Sequence, residues 1–229
     1  MSAQDTSTPT EAPSQGISKH SEEHYNQCIQ ENERIINEVL KGTNGFWLFG
    51  YGSILWKQDF HFSDKLVGYI NGYSRRFWQE SSDHRGTPSH PGRVCTLVRD
   101  VQKVTWGLAF YVPESHKQQV VENLNFREKN GYSVTMEIFN PRDVSRDPFK
   151  VLLYVAREDN KCFVRGESLE ETAKVIAWAE GPSGKNKEYL FNLVEALKQL
   201  QIDNEDDKSH VYALDKIVKD ILENNQHKS

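Results

Sequence analysis

The sequence predicts an α+β fold, a small closed or strongly curled β-barrel with flanking helices. Three observations predict it. The middle of the chain carries about seven β-rich pieces with one helical stretch inserted among them. Helical patterns gather after the strands instead of alternating with them, which separates α+β from a doubly wound sheet. The chain has 229 residues, 37% hydrophobic and 27% charged, enough to close one core around such a sheet. Residues 1–44 read as a disordered tail plus an appended amphipathic helix, and residues 45–225 as one domain.

The elements follow in order. Residues 1–17 are Ser, Thr, Pro, Gln and Glu with almost nothing to bury. A helix is expected from near Ser21, with Glu22 and Glu23 suited to its dipole. Tyr25, Ile29, Ile36, Val39 and Leu40 keep helical spacing until Gly42–Gly45. Phe46–Tyr51 is a short apolar run, the mark of a strand buried on both faces. Lys65–Trp78 reads as two β pieces split by Asn71-Gly72, and Arg93–Arg99 as another. In Lys103–Val112 the residues Val104, Trp106, Leu108, Phe110 and Val112 share one face. A helix follows Pro113 and ends near Asn130-Gly131. Tyr132–Phe139 and Phe149–Ala156 return to strand. Ser168 with Glu171 forms a capping box for a helix that Gly181-Pro182 stops. Leu190, Leu193, Val194 and Leu197 stripe the next helix; Val211, Leu214, Val218, Ile221 and Leu222 stripe a third.

Composition excludes several classes. The longest apolar run, Phe46–Trp56, is interrupted by Gly and Ser and falls short of the roughly 18 residues a membrane span needs. Met1–Ile17 is polar, so no secretory leader is expected. Cys28, Cys95 and Cys162 form no CxxC pair, which points to reduced thiols in the cytosol and away from a zinc ribbon or disulfide scaffold. A net charge of −5 does not suit nucleic acid, which needs clustered Lys and Arg. Size and charge allow a monomer, which is the expectation.

Chemistry concentrates in three places. Leu48-Phe49-Gly50-Tyr51-Gly52-Ser53 carries an apolar strand into a turn of two glycines and a hydroxyl. Glycines at a strand end permit close backbone approach and successive N–H groups that hold an anion. The same pattern also describes an ordinary turn or bulge. It is neither G-x-S-x-G nor G-x-G-x-x-G, and Ser53 has no His partner in hydrolase order. Glu128 is the next i+4 position after Val120, Val121 and Leu124. On a persistent helix it faces the core, where an apolar pocket makes a carboxylate a useful base near neutral pH; in a fraying last turn it is merely solvated. Asp83-His84-Arg85-Gly86-Thr87-Pro88 with Pro91-Gly92-Arg93 is a loop dense in hydrogen-bonding groups. Either Arg85 or Arg93 can grip a carboxylate, or the loop is simply structural. His84 and His90 lack further ligands at usable spacing, so no metal site is expected. Arg75 and Arg76 beside Phe77-Trp78 suggest a cation–π cluster. Gly181-Pro182-Ser183-Gly184-Lys185-Asn186 lacks P-loop spacing and reads as a helix–helix turn.

Taken in order, these segments resemble one family. Phe49–Ser53, Gly72–Trp78, Asp83–Pro88, Pro91–Val94, Phe126–Tyr132 and Gly181–Gly184 follow the pattern of the ChaC family of glutathione-specific γ-glutamylcyclotransferases, in its shorter, constitutive animal type. The resemblance runs from about Phe46 to Leu222; residues 1–44 fall outside it, and Ile54 stands where the family often has Leu. It implies a γ-glutamylcyclotransferase-like barrel, no cofactor, glutathione as substrate, and cleavage to 5-oxoproline and cysteinylglycine. It implies Glu128 as the catalytic acid/base and Leu48, Phe49, Gly50, Tyr51, Gly52 and Ser53 as the loop that receives the γ-glutamyl unit. Two other readings stand beside it: the same cyclisation on other γ-glutamyl amino acids or amines, and a non-catalytic sensor of a γ-glutamyl metabolite.

Overall fold

The computed structural model describes residues 30–38, 40–127, 132–156 and 160–226. Five strands close into a barrel: β1 (Gly45–Gly50), β2 (Asp64–Ser81), β3 (Gly92–Pro113), β4 (Tyr132–Pro141) and β5 (Phe149–Ala156), in the order β1-β3-β2-β4-β5. All neighbours are antiparallel except β1 and β5, which meet in parallel at Leu48 and Leu152. Leu48, Phe49, Phe77, Phe110, Phe139 and Leu152 belong to the buried core, each essentially inaccessible to solvent. The Phe49 and Phe139 rings lie 5.9 Å apart inside it.

The seven or so β pieces expected around the barrel resolve into five barrel strands, and the reason is local. Asn71-Gly72 does not end a strand. Asn71 pairs with Val104 and Tyr73 with Arg99, so β3 carries the extra residues and the ladder resumes beyond them. Gly72 takes φ +82° there. The two β pieces expected on each side of Asn71-Gly72, and the two on each side of residues 100–102, are the halves of two long bent strands. A second irregularity separates Arg76 from Gln79. It leaves the Phe77 N–H turned away from β3, and His210 Nε2 accepts it at 2.9 Å.

Helices cover the barrel. The segment over 30–38 (α1) buries Ile36 against it, with Leu40 just beyond; the expected start near Ser21 lies outside the described residues. Helix α2 (Lys117–Arg127) is inserted between β3 and β4 and buries Val120 and Leu124. Helix α3 (Leu169–Trp178) opens on the expected capping box: Ser168 Oγ accepts from Glu171 N, and Glu171 Oε2 accepts from Ser168 N at 2.8 Å. A two-residue ribbon, β6 (Glu180–Gly181) with β7 (Gly184–Lys185), leads into α4 (Asn186–Gln199), whose stripe Leu190, Leu193, Val194 and Leu197 is buried as the spacing expects. A short α5 (Glu205–Asp207) and a π-helical segment (Lys208–Tyr212) run into α6 (Ala213–Gln226). No helix among the described residues is long and apolar enough to cross a membrane.

The Arg75–Arg76 pair is an anchor and not a cation–π cluster. Arg75 Nη1 meets Asp207 Oδ1 at 2.7 Å with both side chains sealed from solvent, and its Nη2 donates to the Trp106 carbonyl. Arg76 forks onto Asp206 at 2.7 and 2.8 Å. These bonds fasten the C-terminal helices to the long strands.

Candidate active site

A cavity of about 210 Å³ opens where β1 leaves the barrel. Its floor is the end of the β1 run: Phe49, Tyr51, Gly52 and Ser53 line it. After Gly52 the chain tightens into a 3-10 turn, Ser53–Leu55, closed by the Leu55 N–H to Gly52 O bond at 2.9 Å. Gly52 is glycine because its neighbours leave no room. A Cβ there would stand 2.9 Å from Cys95 Sγ and 3.1 Å from the Tyr189 hydroxyl. Leu48 and Gly50, expected in the same loop, do not line the cavity. Leu48 is wholly buried, with its backbone in the ladder against Phe110 and Leu152. Gly50 is pressed against Phe110 and Ile54.

The walls come from distant parts of the chain. Tyr51 donates its hydroxyl hydrogen to the Tyr154 carbonyl at 2.8 Å, tying the floor to β5. Tyr132, the first residue of β4, lines the cavity with Tyr154. From β3 comes Cys95, and from α4 comes Tyr189, their sulfur and hydroxyl 3.2 Å apart. Burial, reinforced by Cys95, raises the Tyr189 pKa well above that of an ordinary phenol, so its hydroxyl stays neutral. Trp56 packs edge-on to the Tyr189 ring at 5.1 Å.

The end of β2 and the loop after it supply the polar side: Gln79, Glu80, Ser81, Asp83, His84 and Arg85. Of the two candidate arginines, the cavity takes Arg85. Its guanidinium donates to Lys185 O at 3.1 Å and lies 5.9 Å from the Tyr189 ring centre. Arg93 is committed elsewhere, forked onto Glu167 at 2.6 and 3.0 Å with Glu80 at 3.4 Å. That pairing, opposed by partial burial, holds the Glu167 carboxyl below its usual range. Cys162 has its pKa raised by burial and then by Glu80 and Asp83, which argues against a thiolate nucleophile.

The Gly181–Gly184 segment is not a bare helix–helix turn. As the β6–β7 ribbon it is docked onto the Asp83–Pro88 loop: Ser183 N donates to His84 O at 2.9 Å, and a Cβ on Gly181 would fall 2.4 Å from that carbonyl. Ser183 Oγ lies 3.1 Å from His84 Nδ1 and lines the cavity. The two glycine-containing motifs read apart in the sequence thus build one wall.

Glu128 lies outside the described residues. It falls in sequence between Arg127, the last residue of α2, and Tyr132 in the cavity wall. Sequence reasoning singled out neither Cys95, Tyr154 nor Tyr189 for this site. For Tyr189 a signal existed: a phenol directly before Leu190, the first residue of the apolar stripe of α4. Among the described residues, no group of three or more His, Cys, Asp or Glu is placed to hold a metal ion.

Residues 46–221 match the family described as ChaC-like protein. The zebrafish (Danio rerio) glutathione-specific gamma-glutamylcyclotransferase 1 is 41% identical over 163 residues, covering 70% of this chain and 83% of its own. The glutathione-specific gamma-glutamylcyclotransferase of Saccharomyces cerevisiae is 37% identical over 209 residues, covering 72% and 90%. Among solved structures, a yeast gamma-glutamylcyclotransferase specific to glutathione superposes with a TM-score of 0.71 at 34% identity, over 78% of this chain and 97% of that one.

Proposed function

The chain belongs to the ChaC-like family, and we propose that it degrades glutathione by cyclising the γ-glutamyl group, releasing 5-oxo-L-proline and cysteinylglycine. The observation that carries this reading is the glycine floor at Gly52 inside a tyrosine-walled cavity, in a chain whose relatives are named for that reaction.

The substrate supplies its own nucleophile. The α-amino nitrogen of the γ-glutamyl unit attacks the γ-carbonyl carbon and closes a five-membered lactam as the bond to the cysteinyl nitrogen breaks. The attacking amine loses a proton and the departing nitrogen gains one, so one carboxylate can carry that proton from the first to the second. We assign this shuttle to Glu128. Support comes from the sequence position, one helical step past the buried residues Val120 and Leu124 and just before the wall residue Tyr132.

Holding the γ-glutamyl chain curled supplies proximity worth roughly 7–11 kcal/mol. The barrel end does this by shape: Phe49, Tyr51 and Tyr189 present rigid rings, and the absent side chain at Gly52 lets Cys95 and Tyr189 close against the floor. Backbone N–H groups of Tyr51–Ser53 are assigned to a substrate carboxylate or the developing oxyanion, where one donor is typically worth roughly 3–4 kcal/mol. Arg85 adds a cation to the same cavity.

Incubating the purified protein with glutathione and following cysteinylglycine and 5-oxoproline by mass spectrometry tests the reaction. Glu128→Gln is expected to abolish turnover while folding and glutathione binding stay near wild type. Substantial turnover by that variant would remove Glu128 from the role. Release of 5-oxoproline from γ-glutamylalanine at a rate matching glutathione would move the substrate class to γ-glutamyl amino acids.

A further inference from the structure

The family match begins at residue 46, so α1 lies outside the matched segment. It is not loosely attached. Strand β4 pairs with β5 along Tyr132–Phe139, but with β2 only from Phe139 to Pro141. Its first half therefore presents to the β2 side a strand edge that β2 does not cover. Asn32 meets that edge. Its Nδ2 donates to Tyr132 O at 2.8 Å, and its Oδ1 accepts from Val134 N at 3.0 Å. A carbonyl at one residue and an N–H two residues on are what a neighbouring strand would bind, and the carboxamide reproduces both bonds with one side chain. Asn32 is 8% exposed, and Ile36 and Leu40 on the same segment are buried in the core. At the segment's end, Leu40 O accepts from Lys117 Nζ at 2.7 Å, at the first residue of α2.

These contacts fall on the two elements that flank Glu128 in sequence. Lys117 opens the helix before it; Tyr132 and Val134 open the strand after it. Tyr132 is also a wall of the cavity. We propose that α1 is a positioning element of the active site, and that Asn32 fixes Tyr132, a wall of the cavity, by clamping the start of β4. The inference rests on the functional reading above. Asn32 touches no substrate and acts through the residues it holds. A misplacement of a reacting group by about 1 Å can cost on the order of 100-fold in rate, so a clamp on one flank carries kinetic weight.

The test uses the full chain and the glutathione assay. Asn32→Ala removes both bonds. Asn32→Asp keeps the volume and the acceptor for Val134 N but sets a carboxylate against the Tyr132 carbonyl. Either variant is expected to lower kcat by about tenfold, with KM near wild type because the Tyr51–Ser53 floor is untouched, and with far-ultraviolet circular dichroism unchanged. Lys117→Met should give a smaller fall of the same kind. A wild-type kcat in the folded Asn32 variants overturns the inference. So does an activity that falls only as the folded fraction falls, which would make Asn32 a structural residue alone. Should the wild-type protein itself release no 5-oxoproline, the functional reading fails, and the positioning role fails with it.

Discussion

At the scale of single residues, the site is decided by what Gly52 lacks. Cys95 Sγ and the Tyr189 hydroxyl stand where its side chain would be, at 2.9 and 3.1 Å. Tyr189 cannot yield easily, since Trp56 and Phe77 both pack edge-on against its ring, at 5.1 and 5.9 Å. Gly52→Ala is therefore expected to push the floor into the cavity and lower kcat/KM by on the order of 100-fold, with the fold kept. Adding Cys95→Ala removes the nearest obstacle and should restore part of the loss. A single Gly52→Ala variant working near the wild-type rate would show that the floor has room to move and is no template for the ligand. Two glycines after an apolar strand marked Gly52 in the sequence, although the same pattern describes an ordinary turn or bulge. It did not display Tyr154 or Cys95 as site residues. The Tyr51–Tyr154 bond spans 103 positions, and nothing in either strand's own pattern reveals which residue the barrel's curvature turns toward the other.

At the scale of elements, the same limit explains the strand count. Asn71-Gly72 and residues 100–102 each carry a turn signal, yet the two signals face one another across a single irregular ladder, and each long strand continues through its own. Local chemistry announces a bend; only pairing shows that the strand survives it. The Arg75–Arg76 pair was likewise visible but not its purpose, because Asp206 and Asp207 lie more than a hundred residues away. The α4 stripe and the Ser168 capping box, whose partners are a turn or less apart, were legible in full. The buried pair makes a direct test of the anchor. Asp207→Asn leaves the Arg75 guanidinium, sealed from solvent, without its counter-charge. Breaking such a pair from one side costs about 3–5 kcal/mol, which for a chain of this length lowers Tm by roughly 6–20 °C. Replacing both partners with apolar residues, Arg75→Met with Asp207→Leu, should cost much less, because no stranded charge remains. Thermal unfolding of the single and double variants reads the difference; equal losses would mean that the pair contributes through shape and not through charge.

Across the whole molecule, the joint between barrel and helical layer is sensitive to protons. The ladder irregularity at Phe77 gives an N–H to the helical side, and His210, in the π-helical segment before α6, accepts it on Nε2. That bond needs a neutral ring. Burial, then the nearby Arg76 guanidinium, push the His210 pKa from 6.5 down to about 4, only partly opposed by Asp206. In the unfolded chain the ring titrates near 6.5. Between those values the unfolded state binds the extra proton, so stability falls as pH falls. The contribution is complete above about pH 6.5, declines from there to about pH 4, and amounts to about 3 kcal/mol over the full window. Carboxylates act lower. Glu167 is held down by its bond to Arg93; for Asp206, burial pulls upward but the Arg76 pairing prevails. Stability from those two is lost only below the ordinary carboxylate values of 4.5 and 3.8. The histidine can therefore be isolated between pH 7 and 5, where it should remove about 2 kcal/mol from the free energy of unfolding in denaturant. His210→Gln offers the Phe77 N–H a carbonyl that does not titrate, and its stability should be nearly flat across the same interval, though lower at pH 7 through imperfect packing. A wild-type protein as stable at pH 5 as at pH 7, or a glutamine variant with an undiminished slope, would mean that the helical layer meets the barrel without this histidine's proton mattering to the joint.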